Sequence, residues 1–224
     1  MLTHAPWLAV SGLRHGFLDG EESAGASWDA VVARAGVPLP VRVPRQVHGT
    51  RVVEAATRAD RPEADALSVT APGLLVGVLT ADCVPVLLVD VRRRVSAVVH
   101  AGWRGAAGGI VEATIAHLAT RAGSAAADLE AAVGPAIGGC CYEVGPEVRA
   151  AFAARSGEAT APAWSRRGPR EHVDLRTAVR CLLQAAGVAR VAVLGPCTAC
   201  GAGYQSYRRD GARAGRQLSF VGWA

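Results

Sequence analysis

The chain has 224 residues, half of them apolar, with 5% aromatics and a net charge of +5. That length suits one domain, residues 1–224, and the apolar content excludes a disordered chain, while 26 Gly and 12 Pro without a period indicate compact turns and not collagen. All 24 basic residues are arginine and lie scattered, with no basic stripe interleaved with aromatics, which argues against a nucleic-acid platform.

The opening segment, "MLTHAPWLAVSGLRHGFLDG", has neither a basic head nor a long apolar run, so no secretory leader is expected. Residues 41–55, "VRVPRQVHGTRVVEA", read as two extended pieces around a turn at His48-Gly49-Thr50. Residues 74–81 and 84–90 read as strands separated by Asp82-Cys83, with Pro85 ending the ladder just after the cysteine. The Asp82 and Pro85 interruptions also argue against a membrane span over 74–90. Arg92-Arg93-Arg94 suits a solvated hairpin tip before the strand "RVSAVVHAG". Helical spacing follows in "AAGGIVEATIAHLATRAG", at Ile110, Ile115, His117 and Leu118. Residues 155–171, with Gly, Pro and four Arg, are expected to form an exposed loop. Asp174 is a good N-cap for a helix running to Gly187, and "VARVAVLG" and "RQLSFVGW" complete the strands. Alternating strand and helix signals predict a mixed α/β domain. A cytoplasmic location is expected, so six Cys suggest metal binding, catalysis or packing before disulfides.

Three soft ligands fall at strand ends or turns: His48 before Gly49, Cys83 after Asp82, and His100 before Ala101-Gly102. Taken singly, each reads more readily as a buried core residue than as a ligand, and no short metal-binding spacing ties them together. Two imidazoles and a thiolate would hold zinc with a fourth position open, the arrangement of a catalytic site. The competing motif is "CTAC", Cys197 to Cys200, whose second half would have to come from Cys140-Cys141, and adjacent cysteines are expected to chelate poorly. Cys140, Cys141 and Cys181 are therefore read as small buried side chains, and Cys197 and Cys200 as neither zinc ligands nor catalytic. His4, His15, His117 and His172 have no supporting neighbours. The glycine-rich junction "HAGWRGAAGG" offers backbone amides and Arg104 to an oxyanion, without the ending of a Walker loop. "SYRRDG" adds Arg208 and Arg209 beside Tyr207, or is merely a polar turn.

Together "QVHGTRVV", "ADALSVTAPGLLVGVLTADCVPVLL", "AVVHAGWRG", "AVGPAIGGCCYEVGPEV" and "YQSYRRDGARAGR" resemble the YfiH family from about residue 43 onward. That family is variously labelled purine nucleoside phosphorylase, polyphenol oxidase (laccase domain) and peptidoglycan editing factor. The resemblance implies an α/β/β/α layered sandwich akin to cysteine-hydrolase-like domains. It also implies a catalytic zinc held by His48, Cys83 and His100, with Asp82 a carboxylate beside the metal. The family more often carries two Phe where this chain has Tyr204-Gln205.

A four-copper oxidase needs a histidine-rich trinuclear cluster that six His without a His-x-His pair cannot supply, although copper can replace zinc at such ligands. The resemblance implies phosphorolysis of adenosine, inosine, guanosine and methylthioadenosine, with adenosine deamination at the same site. Its partners are then small molecules, a nucleoside and phosphate; Arg104 and the glycine turn, joined by Arg45 or Arg208, are the candidates for the phosphate. Deamination follows from the capacity of zinc to acidify water. Alternatives are an amidase-like hydrolase that edits UDP-muramoyl precursors, and a non-catalytic metal- or partner-binding module.

Overall fold

The computed structural model describes residues 10–24, 27–56 and 61–224; the first nine residues of the opening segment, His4 among them, lie outside these. In chain order the strands are β1 (Leu13–Phe17), β2 (Val41–Arg42), β3 (Val52–Glu54), β4 (Ala66–Val69), β5 (Leu74–Thr80), β6 (Val84–Asp90) and β7 (Val95–Ala101). They continue with β8 (Glu130–Val133), β9 (Glu143–Val144), β10 (Trp164–Arg167), β11 (Arg170–Val173), β12 (Arg190–Val193) and β13 (Gln217–Trp223). The helices are α1 (Trp28–Arg34), α2 (Trp103–Gly108), α3 (Ile110–Ala122), α4 (Pro146–Ser156), α5 (Leu175–Ala185) and the single turn α6 (Tyr207–Asp210).

The strands form a four-stranded sheet ordered β1-β13-β5-β2 and a six-stranded sheet ordered β12-β8-β6-β7-β4-β3, with β10-β11-β9 as a small third sheet. Side-chain alternation sets the layers. On β6, Val84, Val86 and Leu88 pack beneath α2, α3 and α5, while Leu87 and Val89 turn toward the four-stranded sheet. On that sheet Val76, Val78, Val221 and Trp223 meet them, whereas Leu75, Leu218 and Phe220 face Val31 and Val32 of α1. Both faces of each central strand are therefore buried, which is why these strands read as continuous apolar runs. The result is helix, sheet, sheet, helix. No helix among the described residues is long and apolar enough to cross a membrane.

The break after β5 is where the chain leaves one sheet for the other, with Asp82 in the left-handed region at φ 89°. Pro85 does not end a ladder; it is the second residue of β6, opposite His100 on β7. The expected helix after β7 is two helices, split at Gly109, whose φ of 99° suits glycine. Arg92 to Arg94 do form the β6–β7 turn, with Arg93 paired to Asp90 and Asp128.

The loop expected over 155–171 is instead structured. After α4 come a 3-10 segment, Gly157–Ala163, and the β10–β11 hairpin, closed at Gly168 with φ 62°. Burial of Phe152, Thr160 and Ala163, with Trp164 edge-on to Phe152, outweighs the polar composition, although the hairpin's arginines remain exposed. Asp174 caps α5 as its position suggests, accepting from the amides of Arg176 and Thr177.

Candidate functional site

His48, Cys83 and His100 stand on three separate segments: the reversal between β2 and β3, the crossing between sheets, and the end of β7. Folding brings their ligand atoms within 4.8 Å of one another. Cys83 Sγ lies 3.9 Å from His48 Nε2, and the two imidazoles meet edge to face with centroids 4.9 Å apart. His100 is buried, Cys83 half-buried and His48 exposed, so the cluster opens to solvent on one side.

Asp65, fully buried before β4, organises both histidines. Its carboxylate accepts from His100 Nδ1 at 2.8 Å and from the amides of Val47, His48 and Gly49 at 3.2, 2.9 and 2.7 Å. Those amide bonds hold His48 at φ 60°, a left-handed conformation that costs a non-glycine residue energy. The proton on His100 Nδ1 points at Asp65, leaving Nε2 for the cluster. A carboxylate fixing a ligand histidine in this way is a recurring support of metal sites.

The electrostatics follow from these contacts. Burial alone would raise the Cys83 thiol, but hydrogen bonds from His100 and His48 outweigh it and bring it down to about 6. Burial likewise disfavours a charged His100, yet Asp65 and the Cys83 sulfur raise it to about 9. Asp65 is held low despite its burial, through His100 and the Gly49 amide.

The donor set fits a metal, and its surroundings make room for one. Gly102 follows the ligand strand, and a Cβ there would come within 2.9 Å of His48 Cδ2 and 3.1 Å of Cys83 Sγ. Only glycine lets the backbone approach the cluster so closely. Gly105 has a related role: its Cβ would meet the Gly49 carbonyl at 3.0 Å, so α2 packs directly on the His48 turn. The glycine-rich junction thus allows close packing at the start of a short helix.

The cluster lies in a cavity of about 640 Å³, the size of a small-molecule site. Arg45, Arg104 and Arg208, singled out from sequence, all line it, as do Arg61 and Arg216, which were not. Their positions differ. Arg45 is paired with Glu63. Arg208 lies over the Tyr142 ring and donates to the Glu143 carbonyl. Arg104 stacks on Trp103, 4.4 Å from its centroid, and makes no ion pair among the described residues. Asp82 also borders the cavity, but both of its oxygens are engaged, accepting from Thr198 Oγ1 at 2.7 Å and the Arg208 amide at 2.6 Å. It ties the C-terminal segment to the ligand loop.

Residues 11–224 match the family described as multi-copper polyphenol oxidoreductase laccase. The chain belongs to the YfiH family. A Deinococcus radiodurans protein called purine nucleoside phosphorylase is 42% identical over 179 residues, 79% of this chain and 68% of that one. Adenosine deaminase RL5, from an unknown prokaryotic organism, is 39% identical over 195 residues, covering 80% and 73%. The crystal structure of YlmD from Geobacillus stearothermophilus superimposes with a TM-score of 0.85 at 28% identity, covering 98% of this chain and 94% of the other.

Where the YfiH family more often has two Phe, Gln205 here is a loop staple. Its amide accepts from the Gly215 N–H, and its own N–H donates to Gln217 Oε1. The rings that line the cavity are instead those of Trp103, Tyr142 and Tyr207. Sequence reasoning missed Asp65 because a lone acid beside an apolar run gives no sign of burial. It also missed Tyr142, which lies in a motif where only the cysteines drew notice.

The burial expected of Cys140, Cys141 and Cys181 is corrected. Cys140 and Cys200 are exposed, Cys141 and Cys181 half-buried, and only Cys197 is buried. Cys140, Cys141, Cys197 and Cys200 come together with sulfurs within 4.8 Å of one another. Adjacent cysteines point apart on a strand, but here they sit on a tight turn in which the amides of Cys141 and Tyr142 both donate to the Gly138 carbonyl. Among the described residues no third such group gathers. His117 bonds to Ser68 Oγ and His172 Nδ1 to the Gly139 carbonyl, while His15 is buried on β1.

Proposed function

We propose that the chain is a zinc-dependent purine nucleoside enzyme. It catalyses phosphorolysis of adenosine, inosine, guanosine and methylthioadenosine, and hydrolytic deamination of adenosine. The observation that carries this reading is the His48, Cys83 and His100 cluster, buttressed by Asp65, at a cavity walled by aromatic rings and arginines. The names of the relatives support the substrate class.

His48, Cys83 and His100 would hold the metal, with copper able to substitute because it competes well for nitrogen and sulfur donors. When bound there, zinc supplies a Lewis acid and lowers the pKa of water, the chemistry that hydrolytic deamination needs. The protein's own groups do the rest. Asp65 fixes the His100 tautomer and the His48 turn, so the ligand set is preorganised. Trp103, Tyr142 and Tyr207 offer ring faces and edges to a planar base. Tyr142 keeps its proton, its hydroxyl pushed up to about 12 by burial and by the nearby Cys83 charge, and so remains a hydrogen-bond donor.

Arg104 is the phosphate-binding residue of this reading, since its charge is not spent on a carboxylate. Arg45 and Arg208 hold their guanidiniums on Glu63 and on backbone carbonyls, and take supporting places at the rim. Asp82 acts as a positioning residue, carrying α6 against the ligand loop.

Incubating the zinc-loaded protein with adenosine and phosphate, followed by chromatography, tests the reading. Adenine with ribose 1-phosphate, and inosine, are the expected products. Inertness toward nucleosides together with cleavage of a UDP-muramoyl-serine compound would replace the reading with the amidase one.

A further inference from the structure

We propose that Cys140, Cys141, Cys197 and Cys200 form a second metal site, a structural four-thiolate zinc centre separate from the histidine-containing cluster. All four sulfurs lie within 4.8 Å of one another, and Cys140 Sγ is 3.7 Å from Cys200 Sγ. Zinc bound tetrahedrally at ~2.3 Å from four sulfurs spaces them ~3.8 Å apart. The set is complete without water, which marks a structural site and not a catalytic one.

The two halves are shaped for it. Cys197 and Cys200 are three apart on a turn closed by the Gly201 amide donating to the Cys197 carbonyl at 2.7 Å. The Gly138 amide donates to Cys197 Sγ at 3.2 Å, a contact that favours a thiolate. The Gly138 backbone passes close to both halves, since a Cβ there would lie 3.3 Å from Cys197 Cβ and 3.4 Å from Cys140 Sγ, beside Arg176 at 3.1 Å.

Charge supplies a third argument. Four thiolates around one divalent zinc carry a net charge of about −2, which must be balanced nearby. Arg167 donates to the Cys140 carbonyl at 3.2 Å, Arg208 to the Cys141 carbonyl at 3.5 Å, and Arg209 to those of Thr198 and Ala199 at 3.3 Å. Three guanidiniums therefore hold the backbone that bears the cysteines. Cys140 and Cys200 are exposed, so the ion can reach the site from solvent. Once bound, it would join the turn that carries Tyr142 to the segment that carries Thr198, and so brace one wall of the cavity.

The decisive experiment uses the Cys83→Ser, His100→Ala double variant, which destroys the other cluster and keeps all four of these cysteines. Its zinc content is independent of the proposed activity. Purified under reducing conditions without chelator, it should retain one zinc per chain, against two in the unaltered protein. A mercurial titration should consume about four thiols as that zinc is released, and cobalt substitution should give intense sulfur-to-metal charge-transfer absorption. The complementary Cys197→Ser, Cys200→Ser variant, if folded by circular dichroism, should hold one zinc and lose most of that absorption. A double variant free of zinc while the unaltered protein binds it overturns the proposal. So does recovery of Cys140 and Cys200 as a disulfide from the reduced preparation.

Discussion

Replacing Asp65 by Asn isolates the support of the metal cluster from the cluster itself. The carboxylate accepts four hydrogen bonds, from His100 Nδ1 and from the amides of Val47, His48 and Gly49. An asparagine retains one carbonyl oxygen and must turn its NH2 toward at least one of these donors, at a fully buried position. Loss of a partner behind a ligand histidine typically costs 10–100-fold in metal affinity, about 1.4–2.7 kcal/mol. The His48 turn adds to this, because its left-handed backbone is held by the same carboxylate. Asp65→Asn should therefore weaken zinc binding at the three-ligand cluster by ten- to a hundredfold or more. Competition against a chromophoric chelator, in a background with Cys197 and Cys200 replaced by Ser, measures this directly. An affinity within threefold of the parent would refute the supporting role of Asp65.

Gly102→Ala should lower zinc affinity at least tenfold with the fold intact by circular dichroism. The φ of −68° at this position accepts alanine, and the obstruction is contact with His48 and Cys83; unchanged affinity would mean the ligands do not close around this backbone. Zinc affinity should also depend on pH with a defined slope. Between about 6 and about 9 Cys83 is already a thiolate and His100 still carries an extra proton, so binding expels one proton from this pair and affinity rises about tenfold per pH unit. Below about 6 a second proton leaves from Cys83 and the slope steepens, whereas above about 9 this pair releases none; calorimetry in buffers of different ionisation enthalpy counts the protons, and a flat profile contradicts the assignment. Arg104→Ala should depress adenosine phosphorolysis about ten- to a hundredfold, as expected for ~1.5–3 kcal/mol of lost charge-assisted contact, and leave deamination and bound zinc largely unchanged. An equal fall in both rates, or in neither, removes the phosphate role.

Much of the architecture was legible because central strands of two packed sheets are apolar on both faces, so β5 and β6 stand out as runs of Val and Leu. The α5 start was equally plain, since an N-cap is a local signal carried by Asp174 itself. The β10–β11 hairpin was hidden because its outward arginines dominate the composition, while the burial that fixes it comes from Phe152 and Trp164 in tertiary contact. The three candidate ligands could be picked out as residue types at turns, but their meeting depends on a chain that changes sheets, which no spacing reports. Asp65 was illegible for the same reason, whereas the four-cysteine grouping was visible as a competing motif and set aside on the expectation that adjacent cysteines chelate poorly. The partners of Asp65 are distant in sequence, and for the cysteines a tight turn at Gly138 overturns the expectation drawn from their adjacency.

The crossing at Asp82-Cys83 also bears on how the molecule is assembled. Cys83 and His48 are 35 residues apart, and Cys83 takes its place only when β5 and β6 have joined different sheets. The Asp82 clamp on Thr198 spans 116 residues, so the C-terminal segment must also be docked. Contacts this distant form late, after the loop-closure cost of the sheets has been met. The proposed metal ion is accordingly expected to enter a nearly completed protein and not to nucleate it. Metal-free expression should then give a folded, reloadable apoprotein.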